Sequence, residues 1–397
     1  MNKSLRSLTD HHGCAKAQQV SLVFARTLYD GSAEAPISDQ LIWIEGEKIV
    51  RVEPSNTASA MKLGAHIAPI VAPGFIDIQI NGALDVQFND MPTKEAVAAI
   101  AAGARQGGTA YCMPTFITAE DSAYTAAIEA ADAAIRAGEK GVLGLHLEGP
   151  FLSPRRPGIH PPGCIRTLEE DDLERLCAPF SGKLLITLAP ECQKPQTIKR
   201  LVSEGRIVFA GHSQATHKDM QIAMEEGLSG ATHLFNAMSQ IEGREPGVVG
   251  TVVSSGSLYA GIIADGYHVH PQNIKMTAKL MPDHLCLVTD AMQTLAGKTT
   301  EFFVFGNKIY LNDGRLTDAA GTLAGAHLAM DEALRKMIDF SGVSVSRAIK
   351  MASTNPASAL GLASELGHVK EGYRAGLTLL SDGLEACGTV VDGTLFS

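Results

Sequence analysis

The sequence predicts an α/β protein: a (β/α)8 TIM-like barrel carrying a small β-sandwich domain formed by the N- and C-terminal segments. Three observations lead there. After Gly74, short apolar strands alternate with Ala-rich helical stretches, and the alternation repeats eight times. Such repetition calls for a parallel sheet, and eight units suffice to close one. The segments flanking this run share an alternating texture, punctuated by Gly and Pro, that the middle lacks. Metal-competent side chains also stand at the C-terminal ends of several strands, the face on which barrels build their sites.

In chain order, residues 1–20 are polar and irregular and read as a flexible extension. Residues 21–71, with SLVFARTLY and QLIWIEGEKIVRVEP, join 365–397, with HVKEGYRAGLTLLSDG and GTVVDGTLF, in the small β domain. Residues 72–364 form the barrel. Its strands are read at 74–80, 109–113, 141–147, 184–189, 207–211, 230–234, 259–264 and 284–289. Helices are read at 93–106, 120–138, 168–177, 195–205, 216–227, 271–281, 324–340 and 344–353, with Thr216 as an N-cap. An open doubly wound sheet is the competing arrangement. It commonly has fewer strands and takes a G-x-G-x-x-G turn after the first, where this chain reads GFIDIQING.

Composition narrows the function classes. Of 397 residues, 45% are apolar and 19% charged, which supplies a large core and excludes wholesale disorder. Lys and Arg total 33 against 43 Asp and Glu, a net charge of −10. That balance argues against a nucleic-acid footprint while leaving room for a local basic pocket. The seven Cys are scattered and none is spaced C-x-x-C, as in a reducing compartment without a Cys-type zinc site. No apolar run reaches the roughly 18 residues of a membrane span, and Met1 to Val20 contain no apolar core of a secretory signal. The expected address is the cytoplasm, with no membrane partner.

The third strand ends in His146-Leu147-Glu148-Gly149-Pro150 and the fifth in Gly211-His212-Ser213. The sixth carries Thr232-His233, and the eighth ends in Thr289-Asp290-Ala291. One His at a strand end is more often a hydrogen-bonded structural group, and one carboxylate there is commonly a helix cap. Such residues on four strand ends of one barrel form a pattern of chemistry. Glu148, His212 and His233 supply two imidazoles and a carboxylate, a donor set for Zn²⁺ or another first-row divalent ion with a position left open. An ion there would acidify a water, and Asp290 would accept its proton and later return one to a leaving group.

Strand 1 reads Gly74-Phe75-Ile76-Asp77-Ile78-Gln79-Ile80-Asn81. Hydrolases of the amidohydrolase superfamily commonly show His-x-His after such a strand, and Gln79 and Asn81 stand in those places. Amides are poor transition-metal ligands, and the fourth strand ends Ala189-Pro190-Glu191 with no Lys to bridge two ions. One metal per chain is expected. The ordered motifs PGFIDIQING, GLHLEGPFLSP, LAPE, GHSQAT, THLFNAM, GREPGVVG, IIADGYHV, LVTDA and GTLAGAHLAM carry a closer resemblance. From about Gly74 to Leu362 the chain resembles the N-acetylglucosamine-6-phosphate deacetylases, a family within that superfamily.

The resemblance implies a metal-dependent hydrolase that removes the acetyl group of N-acetylglucosamine 6-phosphate in amino-sugar catabolism. It makes Glu148, His212 and His233 the ligands of one divalent ion, Zn²⁺ first, with Fe²⁺ or Co²⁺ as alternatives. Asp290 is then the acid/base. His160 contacts the substrate near the acetamide carbonyl and steadies the oxyanion. Asn236 and Ala237 touch the sugar phosphate, and Leu323 lines the sugar pocket. Arg244 and His268 form a phosphate-binding pair that reaches the neighbouring subunit's site in a homodimer. Gln79 is a candidate water-mediated contact to the metal. Arg suits a phosphate monoester because its planar fork binds two oxygens at once. The competing functions are deacetylation of the galacto epimer and a catalytically silent barrel that binds amino-sugar phosphates.

Overall fold

A computed structural model describes residues 17–397. The core is a barrel of eight parallel strands, with β1 Phe75–Ile80, β2 Thr109–Ile117, β3 Gly144–Glu148, β4 Lys183–Leu188, β5 Ile207–Ala210, β6 Gly230–Ala231, β7 Tyr259–Ile263 and β8 Leu285–Val288. Each strand pairs with the next in parallel register. Closure comes at the C-terminal rim, where Asp290 N donates to Gln79 O at 2.9 Å and Ile80 bridges Ala291 in parallel. Strands buried on both faces read as apolar runs. The residues that interrupt those runs, Asp77, Gln79, Thr115, His146, Thr187, Thr232 and Thr289, are all buried.

Each strand leads to a helix: α1 Lys94–Gln106, α2 Tyr124–Arg136, α3 Glu170–Cys177, α4 Thr197–Ser203, α5 His217–Glu225, α6 Gly247–Ser255, α7 Pro271–Leu280 and α8 Met330–Ser341. Helix α1 shows why. Ala96, Val97, Ile100, Ala101 and Ala104 make a buried stripe at helical spacing, and Thr93 caps the start by accepting from Ala96 N. Thr216 caps α5 and shares a reciprocal capping box with Asp219. Such a cap contributes about 1 kcal/mol.

The chain ends build one continuous sheet in the order Ala17–Gln19, Thr394–Phe396, Ala386–Val391, Leu377–Leu380, His66–Pro73, Leu22–Leu28, Ile37–Glu45, Lys48–Pro54. It encloses a core of its own that includes Val23, Ile42, Ile49, Val71, Leu377, Leu379 and Val390.

Four sequence expectations are corrected. Ala17–Gln19, expected within the flexible extension, form an edge strand against Thr394–Phe396. All three are exposed, so pairing by backbone alone leaves no apolar alternation to read. His11, His12 and the rest of residues 1–16 lie outside the described residues. The helix read at 324–340 begins only at Met330, and Leu323–Ala326 form a strand whose Ala326 bridges Ala291 at the barrel rim. Helix α6 was not expected, because Val, Thr and Gly disfavour helices and burial of Val248, Val249 and Val252 overrides that preference. A four-stranded antiparallel sheet, Glu301–Val304, Asn307–Asn312, Arg315–Thr317 and Leu323–Ala326, was also not expected. Its signal was present in Phe305-Gly306 and Asp313-Gly314. All four residues have positive φ, as tight two-residue hairpin loops require.

Candidate active site

The residues singled out from strand ends converge. Glu148 closes β3, His212 lies two residues past β5, and His233 lies two residues past β6. All three are buried. Glu148 Oε1 lies 3.0 Å from His212 Nε2 and 2.8 Å from His233 Nε2, and the two Nε2 atoms are 3.1 Å apart. Donors around one tetrahedral ion, at bonds of 2.0–2.1 Å, sit roughly 3.3 Å from each other. The observed triangle is close to that, so the set fits a single divalent ion. His212 Nδ1 contacts Arg156 O at 3.0 Å, which places the ring proton on Nδ1 and turns the Nε2 lone pair to the common point.

The charges of these groups depend on one another. Burial pushes the Glu148 carboxyl up, but His233 and His212 outweigh it and hold the pKa well below the usual range. Burial works against charge on His233, yet Glu148 prevails and raises its pKa. His160 is held well below its ordinary value by burial and by His212, so it is neutral. The backbone is strained at the same places, with φ of 45° at His212, 30° at His233 and 49° at Asp290. A non-Gly residue there costs roughly 1–3 kcal/mol and persists where the surroundings over-determine it.

Asp290 follows β8 and is held from below. Asn81 Nδ2 donates to its Oδ1 at 2.7 Å, and Gln79 Nε2 donates to the same atom at 3.2 Å. Gln79 Nε2 also reaches Glu148 Oε2 at 3.2 Å. One amide thus ties Asp290 to Glu148. Burial and then the nearby Glu148 push the Asp290 carboxyl up to about 6. A cation among the three donors would draw it back down.

These groups line a cavity of about 180 Å³ together with His160, Asn236, Ala237, His268 and Leu323. His160 Nδ1 pairs with Thr118 Oγ1 at 2.7 Å, and its Nε2 lies 4.0 Å from Glu148 Oε1. His268 lines this cavity within its own chain, with Asp265 Oδ2 at 2.6 Å from its Nδ1. Arg244 is exposed and does not line this cavity. Sequence reasoning missed Thr118, Ile117, Ile159, Ile263 and Met292. The last four read as ordinary apolar core, and only the fold brings them to the wall. His217 bonds Thr251 Oγ1 and His327 bonds Thr294 Oγ1, so neither enters the donor set.

Residues 70–395 match the sequence profile of the amidohydrolase family. The chain belongs to that family. This amidohydrolase is 37% identical over 361 residues to an N-acetylglucosamine-6-phosphate deacetylase of Haemophilus influenzae, covering 90% of this chain and 94% of the relative. It is 39% identical over 323 residues to an N-acetylgalactosamine-6-phosphate deacetylase of Shewanella sp. strain ANA-3, covering 81% and 82%. The crystal structure of N-acetylglucosamine-6-phosphate deacetylase from Pasteurella multocida superposes with a TM-score of 0.86 at 32% identity, covering 94% of this amidohydrolase and 98% of that chain.

Proposed function

We propose that this amidohydrolase removes the acetyl group of N-acetylglucosamine 6-phosphate, releasing acetate and glucosamine 6-phosphate. The observation that carries the reading is the meeting, in one cavity, of three buried metal donors and a separate carboxylate, Asp290, fixed by Asn81 and Gln79. One divalent ion per chain is assigned, with Zn²⁺ first and Fe²⁺ or Co²⁺ as alternatives. Gln79 and Asn81 bond the carboxylates through their amide nitrogens, and amides are poor transition-metal ligands, so no second ion is assigned. When bound, the ion polarises the acetamide carbonyl and acidifies the attacking water.

The chain's own groups do the rest. Asp290 accepts the water's proton and returns one to the amide nitrogen as it leaves. His160 is neutral and bonded at Nδ1 to the Thr118 hydroxyl; in the Nε2-protonated tautomer it presents that proton to the oxygen that gains charge. His268, Asn236, Ala237 and Leu323 hold the sugar. The described cavity lining contains no Lys or Arg, although the substrate carries a phosphate. Arg244 is exposed, and within its own chain no partner for it is seen among the described residues. A homodimer in which Arg244 reaches the neighbouring site meets both facts. In this reading residues 72–364 carry the chemistry, the chain ends brace the barrel, and the enzyme is cytoplasmic. Among the described residues no helix is long and apolar enough to cross a membrane.

The test is acetate release from N-acetylglucosamine 6-phosphate with metal content determined on the same sample. Turnover at about one ion per chain, lost on chelation, is expected. Metal-loaded protein that releases no acetate would sink the reading. The 39% match to the Shewanella sp. enzyme favours one second reading, the galacto epimer, which the same assay decides by relative kcat/KM.

A further inference from the structure

We propose that Thr289, latched to Asp77, is a positioning residue that aims Asp290 into the cavity; this rests on Asp290 being the acid/base of the reading above. Asp290 adopts φ of 49°, a left-handed conformation that L-residues seldom take and that must be enforced by its surroundings. The Thr289 hydroxyl does this from both sides. Its Oγ1 donates to Asp77 Oδ2 at 2.5 Å and accepts from Ala291 N at 3.2 Å, so one side chain spans the residues before and after Asp290. Asp77 Oδ1 completes the latch by accepting from Thr289 N at 3.3 Å and Gln79 N at 3.1 Å.

Asp77 is wholly buried, and burial pushes its carboxyl up to about 7. No Lys or Arg pairs with it among the described residues. A buried carboxyl without a cation is costly to keep. Its hydrogen bonds go to the junction of β1 and β8, the strands that supply Gln79, Asn81 and Asp290. The latch and the base therefore sit on opposite faces of one turn. The carboxylate above is aimed by Asn81 and Gln79, and the backbone below is set by Thr289 and Asp77.

A Val at 289 keeps the shape and removes the latch, and a Ser keeps the latch and removes a methyl. Four variants, Thr289→Val, Thr289→Ser, Asp77→Asn and Asp290→Asn, are compared for kcat, KM, metal content and Tm. A misplacement of about 1 Å in an active site can lower the rate on the order of a hundredfold. Thr289→Val is expected to lower kcat at least tenfold, with KM and metal content unchanged. Thr289→Ser should stay within threefold of the parent. Asp77→Asn should follow Thr289→Val, because an amide cannot accept on both of its atoms. Thr289→Val with normal kcat and only a lower Tm overturns the proposal. So does a Thr289→Ser variant as slow as Thr289→Val. If Thr289→Val does not fold, an Asp77→Asn enzyme with unchanged kcat refutes the latch. Asp290→Asn separates the two layers. Its activity would remove the acid/base reading itself, whereas an inactive Asp290→Asn beside a fully active Thr289→Val removes the latch alone.

Discussion

Replacing Asn81 by Ala tests how the base is held. The Asn81 Nδ2 contact to Asp290 Oδ1 is 2.7 Å, the shortest hydrogen bond that carboxylate receives among the described residues. It stabilises the ionised form. A hydrogen bond to a charged group is worth about 1.5–3 kcal/mol, and 1.36 kcal/mol corresponds to one pH unit. Burial already pushes the Asp290 carboxyl up to about 6, and losing the donor raises it further. A base works when deprotonated, so activity falls as pH drops through its pKa, and the variant's acidic limb should lie roughly 1–2 pH units above the parent's. Well above both limbs, the two enzymes should approach each other. A bound ion lowers both limbs together, so the displacement is the quantity to read. Stability should change little, because Asn81 Oδ1 is buried without a partner and its removal relieves a cost. The assay is kcat/KM from pH 5 to 9 on metal-loaded protein. An unmoved acidic limb would refute the role given to Asn81.

Other perturbations follow from the same geometry. Asp290→Asn should keep its metal and lose about 10²–10⁴-fold in kcat, read by acetate release and metal analysis. His212→Ala should lose stoichiometric metal, and chelating the parent enzyme should lower both activity and Tm, since an ion that binds only the folded state stabilises it. Arg244→Ala should raise KM for the phosphorylated sugar far more than it lowers kcat, and its effect should vanish with the unphosphorylated sugar. Asp172 accepts from Arg166 Nη1 at 2.5 Å, from Arg166 Nη2 at 2.7 Å and from Tyr124 OH at 2.6 Å. Burial opposes its charge, but these bonds win and depress its pKa to about 2. The stability this contributes is fully present above the unfolded value near 4 and is lost as pH falls towards 2. Acid titration of Asp172→Ala should show a deficit of about 3 kcal/mol at pH 7 that disappears near pH 2.

The barrel and its donor set were legible because their signals are local. FIDIQI, GLHLE and LCLV are apolar runs of strand length, and Glu148, His212, His233 and Asp290 follow such runs directly. Elements whose stability comes from elsewhere were not. Helix α6 forms from β-branched residues because the barrel buries them. Leu323–Ala326 form a strand because Asp290 and Met292 offer it backbone partners, Ala326 N donating to Asp290 O and Met292 N to Ala326 O. The support of the site was legible only in part. Gln79 and Asn81 stood out as replacements for histidines, but their bonds to the two carboxylates need coordinates. Asp77 and Thr289 read as ordinary strand residues. His268 entered through resemblance alone, and only the fold brings it to the cavity wall.

The sheet made from both chain ends bears on synthesis. Leu377–Leu380 lie between His66–Pro73 and Ala386–Val391, so the first and last segments translated are neighbours. The buried Thr378 hydroxyl accepts from Phe75 N at 3.0 Å and donates to Gly108 O at 2.6 Å, reaching the entry of β1 and the turn before β2. While the chain is on the ribosome, His66–Pro73 has one free edge and the barrel's entry face lacks this tie. An unpaired apolar strand edge is a template for wrong partners. A nascent chain stalled before residue 377 therefore needs that edge shielded, and a stop codon just before residue 377 should yield aggregates even though every described residue lining the cavity has been translated.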